Sequence, residues 1–552
     1  MTNATTQKTT NTLVILLAIS FFLIPFLPTY TLGFDGLAEP INSAAMLPLL
    51  MFGYFSFKRL SSSETFYLEK SIVSLLVVCI FGVIIFSFYP SSNFSLPTNT
   101  HIRITYIFYF ACFIQLLFWV KPSRISLMTL LFYFLLFQLV IGYYQFFISE
   151  QTFQYTSGKS IKVVGLFPQV NVYATVITTG VLLSIYILNT FRCSKRFYYL
   201  TIPSYFFLLA SPFILYITAS KTAILGLSFA LITFVFFKLA KKQTLKFKST
   251  FLPLMTGILI SIISFSFAQS EKTTESFTNV SSRVHMYEHS LWMIQEKPLL
   301  GWGVNNFQSS FHYSLIERSQ NDKTVPLIDN ALAHPHNEFL LWWIELGLLG
   351  FIFISLVFLV IIAALLRNKK PKNISWALII LIPILFHSQV EKPFYSSTYI
   401  AMIFCLVFYI FSSSSKVSFS KKYTASVLSF SFLAITLTTP FIWISALSSM
   451  VYTGNYTIDE KMNAKKNILL SFPAREYTLQ SDLLIESFLN QGNSARLIET
   501  NQKILEQLYD LPAESLAITY LLNCKKISCD KRKVDYVKNN FPFAFNRLKN
   551  HY

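Results

Sequence analysis

Apolar runs of about 20 residues, the length of helix that crosses a bilayer, recur almost from end to end of this chain and leave it few ways to fold. They lie near 11–29, 40–57, 71–89, 102–120, 125–148, 170–190, 198–218, 222–239, 250–268, 338–366, 374–388, 397–413 and 424–448. Inside a bilayer every backbone N–H and C=O must find its partner within the protein, which only helices and closed barrels allow. Barrel strands would alternate apolar and polar residues over short segments, whereas these runs are continuous. The expectation is an all-α, polytopic integral membrane protein with about 13 transmembrane helices. The run from Leu13 to Tyr30 has no strong basic region before it and no small-residue cleavage site after it, so it is read as a retained helix.

The formal charge of +19 invites a nucleic-acid reading. The basic residues, however, punctuate the apolar runs: Lys58/Arg59, Lys121/Arg124, Arg192/Lys195/Arg196, Lys238/Lys241/Lys242, Arg367/Lys369/Lys370 and Lys416/Lys421/Lys422. All six junctions fall on one side of a membrane if the N-terminus is cytoplasmic, as the positive-inside rule requires. No nucleic-acid partner is expected. The opposite side receives a loop from Ser149 to Gln169, a long loop from Gln269 to about Ala333, and the polar tail after Ser449. In chain order this gives transmembrane helices over 1–268, a large outward loop over 269–337, further transmembrane helices over 338–448 and a small helical domain over 449–552. Within the tail, Asp482 to Leu489 and Ala495 to Leu508 are helix-like. Six cysteines are too few and too scattered for a disulfide framework. Only Cys524 and Cys529 are close neighbours, and a short-loop disulfide and two free thiols both stay open.

Polar residues collect where spans meet the outward side. In Ala331 to Gly350, ALAHPHNEFLLWWIELGLLG, His334, His336 and Asn337 stand at the mouth of an apolar run that holds Glu345, Gly347 and Gly350. Pro335 suits a first helical turn, so the helix is expected to open near His334. His336 would then sit in that turn, where the positive end of the helix dipole favours a neutral imidazole able to accept a proton. At about 100° per residue Gly347 and Gly350 return to the face of His336 and allow close helix approach, while Glu345 points the other way. Two histidines need a third ligand to hold a metal, and no Cys or carboxylate stands at an obvious spacing. A plain pair of loop histidines at a helix cap is the simplest alternative.

Ser281 to Phe307, SSRVHMYEHSLWMIQEKPLLGWGVNNF, reads as an interfacial amphipathic helix carrying Arg283, followed by a turn at Pro298, Gly301 and Gly303. Lys221 opens a span after Thr218 and Ser220, Gln169 and Asn171 open another, and His387, Glu391 and Lys392 follow a third. Each has an ordinary use: Arg283 could snorkel at headgroups, the Ser, Thr and Asn residues could cap helices, and Glu391 could pair with Lys392. Ionisable residues at this depth are functional candidates all the same. The chain has no Walker A loop, no GxGxxG after a strand, no HExxH and no Asp-x-Asp pair, so a soluble nucleotide is not the expected energy source.

Taken in order, these residues resemble a family. His336-Asn337, nine residues, then Gly347-Leu348-Leu349-Gly350 resembles the histidine motif of bacterial O-antigen ligases and polymerases, the Wzy/WaaL superfamily. Arg283 to Gly303 is similar to the periplasmic loop that precedes it, and Gly165, Gln169, Asn171 and Ala174 to another of its boxes. His387-Ser388, Glu391 and Pro393 resemble the His-Ser, Glu, Pro box of the protein-glycosylating branch, the PglL/PilO-type oligosaccharyltransferases. The similarity runs from about Gly165 to Tyr395. Two positions depart from the pattern: Lys221 stands where the family usually has Arg, losing bidentate phosphate geometry, and Val170 stands where it more often has Pro.

The resemblance implies a GT-C-type transferase of the bacterial inner membrane, with its active site and C-terminal domain in the periplasm. It would move an oligosaccharide en bloc from undecaprenyl pyrophosphate to a Ser or Thr hydroxyl of a pilin-like protein, inverting the anomeric carbon. His336 is implied as general base, with Arg283 and Glu391 as further catalytic residues. Arg283, Lys221, Gln169, Asn171, Asn337 and His387 are implied in binding the donor's pyrophosphate and glycan, and His334 and Glu345 in supporting them. Pyrophosphate is a competent leaving group, so neither metal nor cofactor is expected. Within the superfamily the alternatives are an O-antigen ligase acting on lipid A core and an O-antigen polymerase acting on a second lipid-linked glycan. From another class comes a membrane transporter, against which stand the one-sided polar residues and the lack of related halves.

Overall fold

Continuous apolar runs satisfy their own backbone only as helix, and helix is what they form. The computed structural model describes residues 3–26, 42, 44–49, 51–52, 66–89, 98–148, 163–167, 169–242, 247–266, 281–304, 306–328, 332, 334–366, 371–419, 483–484, 486–488, 490–510 and 512–549. In chain order the main elements are α1 (Asn3–Phe22), β1 (Phe66–Glu69), α2 (Lys70–Phe86), α3 (Thr98–Val120), α4 (Arg124–Phe147) and α5 (Val170–Phe191). There follow α6 (Tyr198–Thr218), α7 (Lys221–Ala240), α8 (Phe247–Ser266), α9 (Ser281–Glu296), α10 (Phe307–Asn321), α11 (Glu338–Leu366) and α12 (Pro371–His387). The last are α13 (Thr398–Phe411), β2 (Lys416–Phe419), α14 (Ser494–Asp510), α15 (Glu514–Asn523), α16 (Lys531–Asn540) and α17 (Pro542–Lys549).

From residue 71 to 413 every expected span coincides with a helix. α1 starts at Asn3, ahead of the run expected from 11, because the polar Asn- and Thr-rich start continues the helix beyond what apolarity marks. Six of the described helices are long and apolar enough to cross a membrane, and five shorter apolar helices accompany them. The protein is an all-α polytopic membrane protein; a two-stranded antiparallel ladder, Phe66↔Phe419 to Glu69↔Lys416, is the small exception among the described residues. The span expected at 424–448, most of that at 40–57, residues 149–162 of the loop expected from Ser149 to Gln169 and the tail before residue 483 lie outside the described residues. So do Lys58, Arg59, Arg367, Lys369, Lys370, Lys421 and Lys422.

The chain divides into two compact units. The first comprises Met1–Ile80, Thr105–Ser276 and Val357–Thr457. At its centre runs α5, buried from Val172 to Ile185 and packed by α4, α6, α7, α8 and α12. Lipid tails are as apolar as leucine, so burial alone favours helix association little; close packing and satisfied polar groups supply it. α5 follows that logic. The hydroxyls of its buried Thr175, Thr179 and Ser184 donate to carbonyls four residues back, at 2.9, 2.9 and 2.8 Å, so no polar group is left facing apolar neighbours.

The second unit comprises Phe81–Ile104, Phe277–Leu356 and Ile458–Tyr552. α9, α10 and the head of α11 enclose Met286, Met293, Ile294, Phe307, Phe311, Leu315, Leu341 and Ile344. The face of α9 expected to rest on lipid is therefore covered by protein, through α10, a helix that no sequence pattern announced. α14 to α17 form a second core of Ile504, Leu508, Leu516, Tyr520, Val537 and Phe541, and Cys524 and Cys529 are joined as a disulfide. Gln308 and His312 of α10 reach the carbonyls of Pro512 (3.0 Å) and Asn540 (2.9 Å), tying α10 to these helices.

α11 is not the single straight span expected from 338 to 366. Gly347 has φ 61° and ψ −154°, so helical segments 338–346 and 348–366 meet at a sharp turn. The rings of Trp343 and Phe351 stand 4.5 Å apart across it.

Candidate functional site

Two glutamines on α4 prepare the first cluster. Gln138 and Gln145 are seven residues apart, which two helical turns bring to one face, and both are buried. Gln145 Oε1 accepts from the backbone N–H groups of Val164 (3.1 Å) and Gly165 (2.8 Å), and its amide donates to the Gly165 carbonyl (2.7 Å). Gln138 Oε1 accepts from Leu166 (3.1 Å). The loop so fastened delivers Gln169 to the N-cap of α5 and Asn171 to its first turn. Opposite, His387 ends α12, and the Glu391 N–H donates to the His387 carbonyl (2.9 Å), which projects the two side chains together. α12 comes close because Gly226 of α7 faces the Pro383 backbone, where a Cβ would lie 3.1 Å from Pro383 Cα.

The result is a polar network centred on Glu391. Glu391 Oε2 accepts from Gln169 Nε2 (2.9 Å) and lies 3.0 Å from His387 Nε2, while Oε1 accepts from Asn171 Nδ2 (2.5 Å). A carboxylate can only accept, so His387 carries a proton on Nε2. His387 Nδ1 is 2.8 Å from Thr175 Oγ1, itself 2.9 Å from the Asn171 carbonyl. Glu391 is 3% exposed and His387 and Thr175 0%. Three converging N–H donors offset the cost of burying the carboxylate, and removing any member strands another buried group at a cost of ~1–3 kcal/mol. In the same unit Lys221 opens α7 after the left-handed Ala219 (φ 46°), and Ser220 caps the helix through the Ala223 N–H (3.4 Å).

The second cluster is a turn rather than a helix start. α11 begins at Glu338, so Pro335 and His336 precede it, and His336 has φ 52° in the left-handed region that histidine enters more readily than most residues. The expectation that His336 occupies the first turn, on the face of Gly347 and Gly350, is thus overturned. His334 Nδ1 accepts from the His336 backbone N–H (2.8 Å), and Asn337 Oδ1 caps α11 at the Leu340 N–H (3.0 Å). His334 is 5% exposed, with Nε2 3.5 Å from Glu338 Oε1, and His336 is half-buried with its ring 6.2 Å from that of His334. Arg283 is exposed in the first turn of α9.

The turn after α9 fills the break in α11. Trp302 N–H donates to the Ile344 carbonyl (2.8 Å), Gly303 N–H to that of the buried Glu345 (3.0 Å), and Leu348 N–H to that of Pro298 (2.9 Å). Backbone groups that the break would leave without helical partners are taken by the loop. Beneath it His289, 1% exposed, has Nε2 3.0 Å from Ser314 Oγ and stacks on Trp292. Burial, with the Arg318 charge, lowers its pKa to about 4, and burial lowers that of His312 to about 4. Among the described residues no three His, Cys, Asp or Glu side chains are grouped to hold a metal ion.

The structure thus gathers Gln169, Asn171, His387 and Glu391 in the first unit, and His334, His336, Asn337, Glu345 and the Arg283 helix in the second. Sequence reasoning missed Thr175, Gln138 and Gln145. A signal was present: Thr175 is four residues past Asn171 on one helix face, and the two glutamines are polar positions at helical spacing in an apolar run.

Two family models match this chain. The O-antigen ligase family matches residues 205–355, which hold Lys221, Arg283, His336 and Gly347. A family described as virulence factor membrane-bound polymerase, C-terminal, matches residues 375–508, which hold His387 and Glu391. A protein of Haemophilus influenzae described as uncharacterized is 29% identical over 97 residues, covering 18% of this chain and 23% of that relative. The two family matches together identify the chain as a member of the Wzy/WaaL superfamily of O-antigen ligases and polymerases.

Proposed function

We propose that this protein transfers an oligosaccharide from undecaprenyl pyrophosphate to a Ser or Thr hydroxyl of a secreted, pilin-like protein, at the periplasmic face of a bacterial inner membrane. The observation that carries the reading is the His334 to Asn337 turn inside the O-antigen ligase match, where a half-buried imidazole is held at a helix mouth by the ring before it. His336 takes the proton of the acceptor hydroxyl as its oxygen attacks the anomeric carbon. The bond from that carbon to the pyrophosphate breaks, the electron pair leaves with the phosphate, and the carbon inverts. Arg283 stabilises the charge that develops there. The network of Gln169, Asn171, His387 and Glu391 serves donor binding, with Glu391 fixing the amides rather than meeting the reacting atoms. No step runs through a metal or cofactor.

The protein acceptor rests on the His387 to Pro393 box and on a helical tail that packs on α10. A second reading, glycan polymerase, is favoured by the polymerase description of the match over 375–508. Membranes given labelled lipid-linked glycan separate the two: the proposal expects label in protein, whereas label confined to longer lipid-linked glycan, or to lipopolysaccharide, overturns the protein acceptor.

A further inference from the structure

We propose that Gln169 and Asn171 form a subsite that reads hydrogen-bond donors, the hydroxyl or amide N–H groups of a sugar, and that Glu391 sets this polarity. The inference rests on the transferase reading and adds what the site recognises. A primary amide can usually turn over and offer either its N–H or its carbonyl. Here it has no such freedom. The Glu391 carboxylate only accepts, so it draws the nitrogen of both amides, Gln169 at 2.9 Å and Asn171 at 2.5 Å. Glu391 is itself held, because Oε2 also meets His387 Nε2 at 3.0 Å and the His387 ring abuts Thr175 Oγ1 at 2.8 Å in a wholly buried place.

With one N–H of each amide turned to Glu391, its carbonyl oxygen faces away from the carboxylate. Among the described residues neither Gln169 Oε1 nor Asn171 Oδ1 has a hydrogen-bond partner, and neither belongs to the buried polar atoms left unsatisfied, so both keep access to solvent. Gln169 stands at the N-cap of α5, yet its side chain does not cap the helix. Two half-buried carbonyl oxygens beside the Glu391 carboxylate favour a polyhydroxylated ligand over a phosphate or a carboxylate, whose negative charge Glu391 would repel.

The test exchanges the polarity of one bond. Glu391→Gln together with Asn171→Asp reverses the 2.5 Å contact, the new amide donating to the new carboxylate while its carbonyl keeps Gln169 and His387. Affinity of the full chain in nanodiscs is measured for the polyprenyl-pyrophosphate-linked glycan extracted from its host's membranes, beside thermal unfolding of each variant. Asn171→Asp alone sets two carboxylates together, and Glu391→Gln alone lets Asn171 turn over and present its N–H; each is expected to weaken binding about tenfold. The double variant is expected to return to within about threefold of wild type, because residue 171 again offers an acceptor. A double variant no better than the single ones overturns the inference, as do single variants that bind like wild type. Should the double variant unfold early, Gln169→Leu is used instead: about tenfold weaker binding is expected, and unchanged binding overturns the inference. A wild-type chain that neither binds nor transfers this glycan overturns the transferase reading and the inference with it. One that does both while the polarity variants contradict expectation overturns the inference alone.

Discussion

Gly301 lies against the backbone of Gly347, and both are in the left-handed region, at φ 70° and φ 61°. A Cβ on Gly301 would lie 2.6 Å from the Glu345 carbonyl and the Gly347 nitrogen, and one on Gly347 would run into the Leu299 carbonyl and lie 2.6 Å from the Leu300 nitrogen. These contacts are backbone to backbone, so no side chain can move aside.

Gly347→Ala is accordingly expected to destabilise the protein by ~1–3 kcal/mol through backbone strain alone, since φ 61°, ψ −154° is a region that side-chain-bearing residues avoid. The clash with Leu299 adds to this. Thermal unfolding in detergent checks the stability, and glycan transfer checks the site. An alanine variant with wild-type stability would mean that the loop and the helix break do not interlock in this way.

His289 and His312 carry an acid sensitivity. Their folded pKa values of about 4 lie below the 6.5 of a free histidine, chiefly through burial. Between these values the unfolded chain binds more protons than the folded one, so stability is full above pH ~6.5 and falls as pH drops towards 4. His312 stacks on Phe541 at 4.8 Å and reaches the Asn540 carbonyl at 2.9 Å, so the contact of α10 with the tail helices is the part expected to loosen. Amide protection factors in α10 and α14 to α17 should be lower at pH 5 than at pH 7.5. His312→Gln, which keeps a donor but does not titrate, should flatten that change. Equal protection at both pH values would refute the assignment.

Spans were legible in the sequence because membrane helices announce themselves by apolar length, and the polar residues at their mouths stood out against that background. The pairing among them was not legible. Asn171 meets Glu391 across 220 residues of sequence, and nothing local to either position names the other. Gly347 was read as a small residue on one face of a straight helix because periodicity presumes unbroken φ and ψ; the positive φ that breaks the helix depends on the Pro298 to Gly303 turn filling the gap. His336 was misplaced by the same presumption, since Pro335 suits a first turn but equally suits the turn before one. α10 escaped notice because its buried Phe307, Phe311 and Leu315 are interleaved with polar residues that bind the tail.

His336 is the proposed base that activates the acceptor. Its most direct test is the single-turnover rate of glycan transfer by the reconstituted full chain with saturating lipid-linked donor, comparing wild type, His336→Ala and His334→Ala. A positioned base contributes ~10²- to 10⁴-fold, so His336→Ala is expected to lose that much. His334→Ala, which removes only the acceptor for the His336 N–H at 2.8 Å, is expected to lose less. Near-normal turnover by His336→Ala would show that His336 is not the base.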